Sequence, residues 1–490
     1  MNRMKIKSGA IIFLLFLSIN TFAQKSRTMA MGNLSYSIID SDYSINMFDI
    51  GYNPAWLIAD SKDAKLEFTP NYTNSKYDFA RKYSPESSDN YNIFSTAVKP
   101  LGNAGTFRGS ASYNYLSMNN YNRTIELNPY TGKGFFYADT TNGDFTYKGP
   151  SFQLMHSLKL SEKIYIGGSV NYKVWDGLKE ISSYAITTFR DVNLNVGVAY
   201  SLLDNLTLGT NFIFNSSQEN IEINDPNNLS ITIDNIFGEN YSVRLITGDK
   251  NEKIRNSSSV TNFQIQWQPA INIDVLFTGS LENANSALLN SSSATFKDRE
   301  DSYANFYGVN AGLISQYRIS KEFIAGLKAQ YNKLESWTKL SAKNLKIWDW
   351  ETNRSIVGLG LSYNPANSDF LIGVEYEFSD FSADSSKYID NKYNSISSID
   401  HLVKIGAEYK LLSSLISRAG YNYQKVGEDL IFGAKDLTLN RFTLGLGIKL
   451  TEAFTLDFSV DYILMKPGTT NNNISNDIFV CSATLRTYTF

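Results

Sequence analysis

The strongest constraint on this chain is a two-residue alternation of apolar and polar side chains. It is almost unbroken from Arg441 to Met465, in two segments joined by one turn. Successive side chains of a β-strand point to opposite faces, so one face of this hairpin is apolar and the other carries charge. The pattern predicts a hairpin between two different solvents. The apolar positions are Phe442, Leu444, Leu446, Ile448 and Leu450, then Phe454, Leu456, Phe458, Val460, Tyr462 and Leu464.

The same alternation recurs along the chain, in segments that begin at Ile164, Phe323 and Phe370. Each runs for roughly ten to twelve residues, which is the length that a tilted strand needs to cross about 30 Å of hydrocarbon. Pro is scarce, with 10 in 490 residues, and no low-complexity linker divides the chain. We therefore expect an all-β fold, a transmembrane antiparallel up-and-down β-barrel, because a closed sheet of this size leaves no unpaired edge.

The positions of the turns in the sequence predict the number of strands. Short polar turns on one rim and longer loops on the other are typical of such barrels. With an opening and a closing strand the tally is about 18, within a range of 14 to 18. The short turns are Pro100 to Gly105, Leu160 to Lys163, Leu203 to Asn205, Gln268 to Ala270, Ile319 to Glu322, Asn364 to Ser368, Leu411 to Ser414 and Leu450 to Ala453; the long loops are Met118 to Lys148, Ser216 to Ser258, Leu281 to Asn305 and Lys333 to Glu351.

The two ends of the chain carry export signals. Residues 1–23 combine three early cations with the apolar run Ala10 to Leu17 and end at Ala23, which predicts a cleaved signal peptide. With the barrel strands, it predicts the outer membrane of a Gram-negative cell. The chain ends on Tyr488 and Phe490, an aromatic pair that partly matches the terminal signal expected by the outer-membrane barrel assembly machinery.

Residues 24–62 precede the first convincing strand and lack its alternation. They contain too many apolar side chains to leave in water. With Gly32, Gly51 and the turn at Asn53-Pro54, they predict a plug, or hatch, that folds into the lumen. A disordered leader is the alternative. The predicted domains are thus a signal peptide (1–23), a plug (24–62) and a barrel (63–490).

The plug residues carry a family resemblance. Gly32 and the run Gly51 to Leu57, which includes Asn53-Pro54-Ala55-Trp56, resemble the hatch of FadL/TodX-type outer-membrane transporters of long-chain fatty acids and other hydrophobic compounds. The C-terminal third is similar in style. The resemblance implies 14 strands and a passive route: capture among external loops, an apolar pocket beside the plug, and release when the plug shifts or the wall opens laterally.

Candidate functional residues follow from this reading. A hydrophobic solute would need apolar contacts in the long loops. The alternative is that these aromatics form the interfacial girdle or pack the loops together. Inward charges could form a polar relay or pair across strands. The candidate ligand contacts are Phe135, Phe136, Tyr137, Trp337, Trp348 and Trp350, and the candidate lumen charges are Lys449, Asp457 and Asp461.

Composition narrows the function classes. A net charge of −3 provides no basic footprint for nucleic acid. The single Cys481 excludes an internal disulfide framework, and His156 and His401 stand in no catalytic motif. We expect no enzyme, cofactor or metal. The expected partners are membrane lipids, lipopolysaccharide and a hydrophobic small molecule; the alternative function is a partner or shuttle in protein secretion or surface assembly, without small-molecule transport.

Overall fold

The computed structural model of the protein describes most of the chain beyond residue 45. The described residues are 27–28, 31–32, 46–61, 63–179, 185–223, 231–238, 240–247, 250–291, 298–365, 369–389, 391–429, 434–468 and 474–488. The predicted signal peptide, about half of the predicted plug (24–26, 29–30, 33–45 and 62) and Phe490 lie outside them.

Eighteen antiparallel strands close into one barrel, which confirms the predicted fold class and the tally of about 18. This number differs from the 14 strands that the family resemblance implies. Every barrel strand pairs with the next barrel strand along the chain, and the last barrel strand pairs with the first to close the sheet. The barrel strands are β3 (Lys65–Tyr77), β4 (Ser87–Pro100), β5 (Thr106–Tyr121), β7 (Gly143–Lys159), β8 (Ile164–Lys179), β9 (Ala185–Leu203), β10 (Leu206–Ile223), β13 (Lys250–Ala270), β14 (Ile273–Ser291), β15 (Asp298–Arg318), β16 (Phe323–Leu340), β17 (Leu345–Tyr363), β18 (Phe370–Lys387), β19 (Lys392–Leu412), β20 (Leu415–Asp429), β21 (Ala434–Lys449), β22 (Phe454–Lys466) and β23 (Asn476–Thr487).

The alternation sorts the side chains as predicted. Leu444 on β21 is 63% exposed, whereas its neighbour Thr443 is 2% exposed. On β18, Val374 and Tyr376 face outward and Glu375 between them is buried. An apolar band therefore covers the outside of the barrel and polar groups line the inside, the arrangement of a membrane-spanning barrel.

The strands are longer than the predicted ten to twelve residues. They span 12 to 21 residues, because the outward face turns polar beyond the apolar band while the ladder continues. Asp380 on β18 illustrates this change. Most of the stretches predicted as long loops, such as Lys333 to Glu351, are consequently strand. The turn predicted at Gln268 to Ala270 lies at Ile271 and Asn272 instead.

Smaller elements lie beside the barrel strands. The short strands β6 (Phe135–Ala138), β11 (Ile231–Phe237) and β12 (Tyr241–Thr247) form a sheet in the order β12-β11-β6. The two-residue strands β1 (Arg27–Thr28) and β2 (Met31–Gly32) pair with each other. A 3-10 turn (Pro54–Trp56) leads into helix α1 (Leu57–Asp60), and two further 3-10 turns cover Gly102–Ala104 and Ser341–Lys343. In the described residues, no helix has the length and apolarity to cross a membrane.

Candidate functional site

Residues 46–61, which we call the inner segment, lie in the lumen close to the rim formed by the short turns. Asn53 holds the segment to the wall. Its Nδ2 donates to Gln264 Oε1 of β13 at 3.1 Å and to the Val198 carbonyl oxygen of β9 at 3.1 Å. Its Oδ1 accepts from the Ala55 N–H at 3.0 Å, so it also caps the 3-10 turn. Asn53, Ala55 and Leu57 are completely buried.

Glycines in the wall make room for this contact. A Cβ at Gly197 of β9 would stand 2.1 Å from Asn53 Oδ1, and one at Gly167 of β8 would stand 2.5 Å from the Pro54 backbone. At Gly209 of β10 the nearest atoms would be Gln264 Oε1 at 2.7 Å and Met47 Sδ at 2.8 Å. The smooth inward surface of β8, β9 and β10 therefore fits the inner segment.

The other predicted plug residues have separate positions. A Cβ at Gly51 would meet the Met47 carbonyl oxygen at 2.7 Å, and the Gly51 carbonyl oxygen accepts from Gln264 Nε2 at 3.0 Å. The Trp56 ring packs edge-to-face on Tyr165 of β8, with 5.3 Å between ring centroids. The Ala55 carbonyl oxygen accepts from Ser157 Oγ of β7 at 2.6 Å. Gly32 lies in β2, beside β17 and β18.

The opposite rim is closed by a second insertion, which we call the mouth insert. It consists of residues 122–142 and the strands β11 and β12. Phe135, Phe136 and Tyr137 belong to β6, pair with β11, and are at most 3% exposed. Trp348 and Trp350 of β17 face them across the lumen and are buried in the same apolar cluster as Phe135 and Tyr137. Trp337 faces outward on β16, with its ring 5.6 Å from that of Tyr303.

Two glycines of the mouth insert, Gly132 and Gly134, have positive φ, as does Gly238 directly after β11. Gly134, with φ +69°, approaches the Trp348 ring so closely that a Cβ there would lie 2.3 Å from it. Gly132, with φ +77°, offers its carbonyl oxygen to Trp350 Nε1 at 3.1 Å. Left-handed backbone of this kind favours glycine. Gly238 N–H donates to the Gly134 carbonyl oxygen at 3.0 Å and so ties the loop to β11.

Buried charged groups also fix the mouth insert. Lys133 Nζ donates to Glu126 Oε2 at 2.6 Å and the Tyr137 N–H donates to Glu126 Oε1 at 2.6 Å. Burial raises the pKa of the Glu126 carboxyl despite the neighbouring Lys133. Lys179 of β8, fully buried, pairs with Asp139 at 2.9 Å. Glu252 of β13 accepts from the Tyr137 hydroxyl at 2.8 Å.

A small, partly open cleft of about 20 Å³ lies in this closure. It combines an aromatic wall with two cations: Arg81 lies 3.8 Å from the centroid of the Tyr130 ring, and Lys387 Nζ lies 5.3 Å from that of Trp348. Burial lowers the pKa of Arg81 to about 10 and raises that of Tyr130 to about 12. The lining residues are Arg81, Pro129, Tyr130, Gly132, Gly134, Phe135, Phe136, Gly238, Trp348 and Lys387.

The ladder between β7 and β8 is interrupted close to the mouth insert. Paired residues run from Phe145 to Lys148 and resume at Ser151, so Gly149 and Pro150 have no partner on β8. Pro lacks the N–H that a ladder bond requires. On the inside of the interruption, Phe145, Tyr147 and Trp175 form an apolar cluster with Leu127 of the mouth insert.

Between the two closures, charged side chains pair across the lumen face of β16 to β22. Arg418 binds Glu408 and Asp457, each at 3.0 Å, and its side chain is fully buried. Asp461 pairs with Arg441 at 2.6 Å. Lys328 and Lys404 both bind Glu377. Lys449, in contrast, lies at the end of β21 and pairs with Glu452 of the adjoining turn at 2.7 Å.

The remaining candidates have local roles. The Tyr488 N–H donates to the Ala453 carbonyl oxygen at 3.1 Å, one residue past the end of β23. His156 Nε2 lies 2.8 Å from the Ala104 carbonyl oxygen, and His401 Nδ1 lies 2.8 Å from the Tyr376 hydroxyl on the outward face. In the described part of the chain, no group of three or more His, Cys, Asp or Glu is placed to hold a metal ion.

Sequence reasoning missed several residues that build the site. Gln264, Gly197 and Gly209 form the wall beneath Asn53, and Arg81 and Lys387 flank the cleft. The inward parity of Gly167, Gly197 and Gly209 is a usable signal, because inward glycines close together on three adjacent strands indicate close approach of another backbone. Nothing in the sequence brings Arg81 near Lys387.

The fold and the two closures define the class: a membrane-spanning 18-strand β-barrel whose lumen is occupied at both ends. Within that class, the chain belongs to the family described as "Family of unknown function (DUF6850)", whose model matches residues 54–480. No curated protein matches the sequence.

Several solved structures are similar at low sequence identity. The ferric citrate transporter FecA in its unliganded form has 9% identity and a TM-score of 0.45, over 86% of this chain and 78% of that one. The toluene transporter TbuX of Ralstonia pickettii has 11% identity and a TM-score of 0.35, over 97% and 100%. A Pseudomonas aeruginosa FadL homologue has 12% identity and a TM-score of 0.34, over 89% and 92%. Values this low carry no conclusion about cargo.

Proposed function

We propose that the protein is a channel of the Gram-negative outer membrane for the passive uptake of hydrophobic small molecules such as long-chain fatty acids. In this orientation the short-turn rim faces the periplasm and the long-loop rim faces the cell surface. The cleft of the mouth insert is the observation that carries the proposal. Phe135, Phe136 and Trp348 lie along it, and all three are predicted ligand contacts.

The chemistry of the cleft suits an apolar molecule with one anionic end. Tyr130, Phe136 and Trp348 supply aromatic surface, while Arg81 and Lys387 supply positive charge. Binding sites for small molecules typically combine mainly apolar walls with a few polar groups that fix orientation. A carboxylate would lie beside the two cations and an acyl chain along the aromatic rings. The cleft holds about one water molecule as it stands, so the mouth insert would have to move outward to admit such a chain.

The exit would be lateral in this proposal. The lumen between the closures is lined by ion pairs such as Arg418 with Asp457, and an apolar solute gains nothing from such a path. Leu127 of the mouth insert and Trp175 of β8 instead pack against the cluster that contains Tyr147, near Gly149 and Pro150, which have no partner on β8. Strands β7 and β8 could part there after losing fewer backbone hydrogen bonds than at a continuous ladder.

Binding can be tested with oleate and its uncharged methyl ester on detergent-purified protein. We expect Phe136→Ala and Trp348→Ala to weaken the binding of both probes. Arg81→Gln should weaken that of oleate alone, by roughly tenfold, because a charge-assisted hydrogen bond contributes about 1.5–3 kcal/mol. Trp337→Ala is the matched control, since that ring faces outward. Unchanged oleate binding in all three cleft variants would refute the proposed capture site.

The route is tested with disulfide staples in a Cys481→Ser background. Ser151→Cys with Lys173→Cys joins β7 to β8 next to Pro150. Asn310→Cys with Asn332→Cys joins β15 to β16 in the same inward geometry and serves as control. We expect only the first staple to stop oleate entry into proteoliposomes, and a reductant to restore it. Equal uptake through both oxidised barrels would exclude the lateral exit.

A second candidate function is a partner or shuttle in protein secretion or surface assembly. The observation that favours it is β12, which pairs only with β11 among the described strands and exposes the four residues Tyr241 to Arg244. Such an edge can accept a strand of another protein. A photo-crosslinker at Val243 that captures one defined protein in cells, together with no oleate binding, would favour this candidate over uptake.

A further inference from the structure

Three outward cations stand on β9 and β13, on either side of β10, just beyond the apolar band. Arg190 of β9 and Arg255 of β13 both stand opposite Gln218 of β10 in the registers. Lys253 lies two residues further along β13, opposite Asn220. Two interstrand spacings of about 4.8 Å place the Arg190 and Arg255 backbones roughly 10 Å apart. Both arginines are exposed.

The level of these cations relative to the membrane follows from the neighbouring outward residues. Phe214 is the last large apolar side chain on the outward face of β10, its partner on β9 is Leu194, and both are exposed. The next outward row is Val192, Ser216 and Ser257, and the row after it carries the arginines. The cations therefore lie about four residues beyond the hydrocarbon edge, where the phosphate groups of lipids are found.

The side chains of the row suit a phosphate group. Arg255 Nη2 donates to Gln218 Oε1 at 3.4 Å, and Gln218 Nε2 donates to Asn220 Oδ1 at 2.7 Å. The guanidinium group presents several donors in a planar fork that matches phosphate oxygens. The nearest outward acids are Asp176 on β8, which accepts from Thr188, and Glu222 on β10. Among the described outward residues of β8, β9, β10 and β13 at this level, there are thus three cations and two acids.

We propose that the outward face of β9, β10 and β13 is a binding site for the phosphate groups of a phosphorylated glycolipid of the outer leaflet, held by Arg190, Arg255 and Lys253. This site is separate from the cleft and does not depend on the cargo. It requires only that the long-loop rim faces the cell surface.

The test compares phosphorylated lipid A, dephosphorylated lipid A and inorganic phosphate as probes for detergent-purified protein, by native mass spectrometry. We expect phosphorylated lipid A to bind. The triple variant Arg190→Gln, Arg255→Gln, Lys253→Gln should bind it about a hundredfold more weakly, because each cation near an anionic membrane surface contributes roughly fivefold. Arg190→Gln alone, at an exposed position, keeps the test valid if the triple variant does not fold.

The matched control is Lys99→Gln, Lys163→Gln, Lys321→Gln, which removes three cations from the short-turn rim. It should bind lipid A like the unmodified protein. Equal binding of dephosphorylated lipid A, or equal loss in the control, would overturn the proposal. If millimolar inorganic phosphate displaces lipid A as effectively as added lipid A does, the three cations bind a soluble anion, and the proposal is wrong. Oleate binding by the triple variant reports on the cleft separately.

Discussion

Asn53 of the inner segment and Gln264 of β13, 211 residues apart in sequence, form a buried hydrogen bond of 3.1 Å. The Gln264 side chain also donates to the Gly51 carbonyl oxygen and to Asn211 Oδ1. One amide of the wall therefore binds the inner segment at two points. The hold of the wall on this segment is concentrated in few residues.

Asn53→Ala should release the inner segment from the wall. The substitution leaves Gln264 Oε1 without this donor inside the protein, and an unsatisfied buried polar group costs about 1–3 kcal/mol. We expect faster protease cleavage within residues 46–61 and a higher ion conductance in planar bilayers. Asn272→Ala, in an exposed short turn, is the control. Conductance equal to that of the unmodified barrel would show that Asn53 does not hold the segment.

Gly197→Ala should have the same effect through steric overlap, since its Cβ would lie 2.1 Å from Asn53 Oδ1. Gly279→Ala is the matched control, because the nearest atoms to a Cβ there are 3.8 Å away. We expect a higher ion conductance in planar bilayers for Gly197→Ala and an unchanged conductance for Gly279→Ala. If both behave alike, the overlap at Gly197 is absorbed by other movements.

Gly134→Ala should loosen the mouth insert. A Cβ at this position would meet the Trp348 ring at 2.3 Å, and the positive φ adds about 1 kcal/mol of backbone strain. The expected result is cleavage of residues 122–142 by an external protease on intact cells. Gly102→Ala is the control for backbone strain without steric overlap, because Gly102 has φ +61° and no atom lies within 4 Å of the position of a Cβ. Protection of the loop in Gly134→Ala would contradict the close packing.

Removal of the Arg418 charge should lower stability strongly. Arg418→Met leaves the buried Asp457 without this ion pair and removes one partner of Glu408, and breaking a buried pair costs about 3–5 kcal/mol. Lys449→Met is the control, because the exposed pair with Glu452 contributes at most about 1 kcal/mol. Urea unfolding followed by gel mobility measures both variants. A similar loss in both would place Lys449 in the lumen network.

Alkaline pH should open the mouth insert through Tyr130. Burial raises the pKa of this hydroxyl to about 12, and it accepts a hydrogen bond from the Tyr83 N–H at 2.8 Å. An unfolded tyrosine ionises near pH 10. Stability is therefore fully present below pH 10 and falls as the pH rises towards 12, since only the unfolded state loses its proton in that window.

The measurement is protease cleavage of residues 122–142 as a function of pH. Tyr130→Phe should show less dependence on pH between 10 and 12 than the unmodified protein. An identical pH profile in the two proteins would assign the opening to other tyrosines, such as Tyr137, whose pKa burial also raises.

The alternation of side chains predicts the barrel, its faces and its number of strands, because each strand alone records which of its side chains meet lipid. For example, the alternation predicts that Leu444 faces lipid and that Thr443 faces the lumen, and the structure has the first exposed and the second buried. The mouth insert could not be predicted, since β6 and β11 are far apart in sequence and neither shows the period of a membrane strand. Lys449 shares the inward parity, yet it lies at the rim, where parity no longer decides the environment.

The longest strands, β13, β15 and β19, contain 21 residues each, about twice what a bilayer requires. If the long-loop rim faces outward, the extra strand length forms a stiff collar that extends beyond the lipid surface. Bacteriophages, antibodies and neighbouring cells would then touch this collar before any lipid. Selection by these contacts would change the outward polar side chains of the collar and leave the inner segment and the mouth insert inside the barrel unchanged.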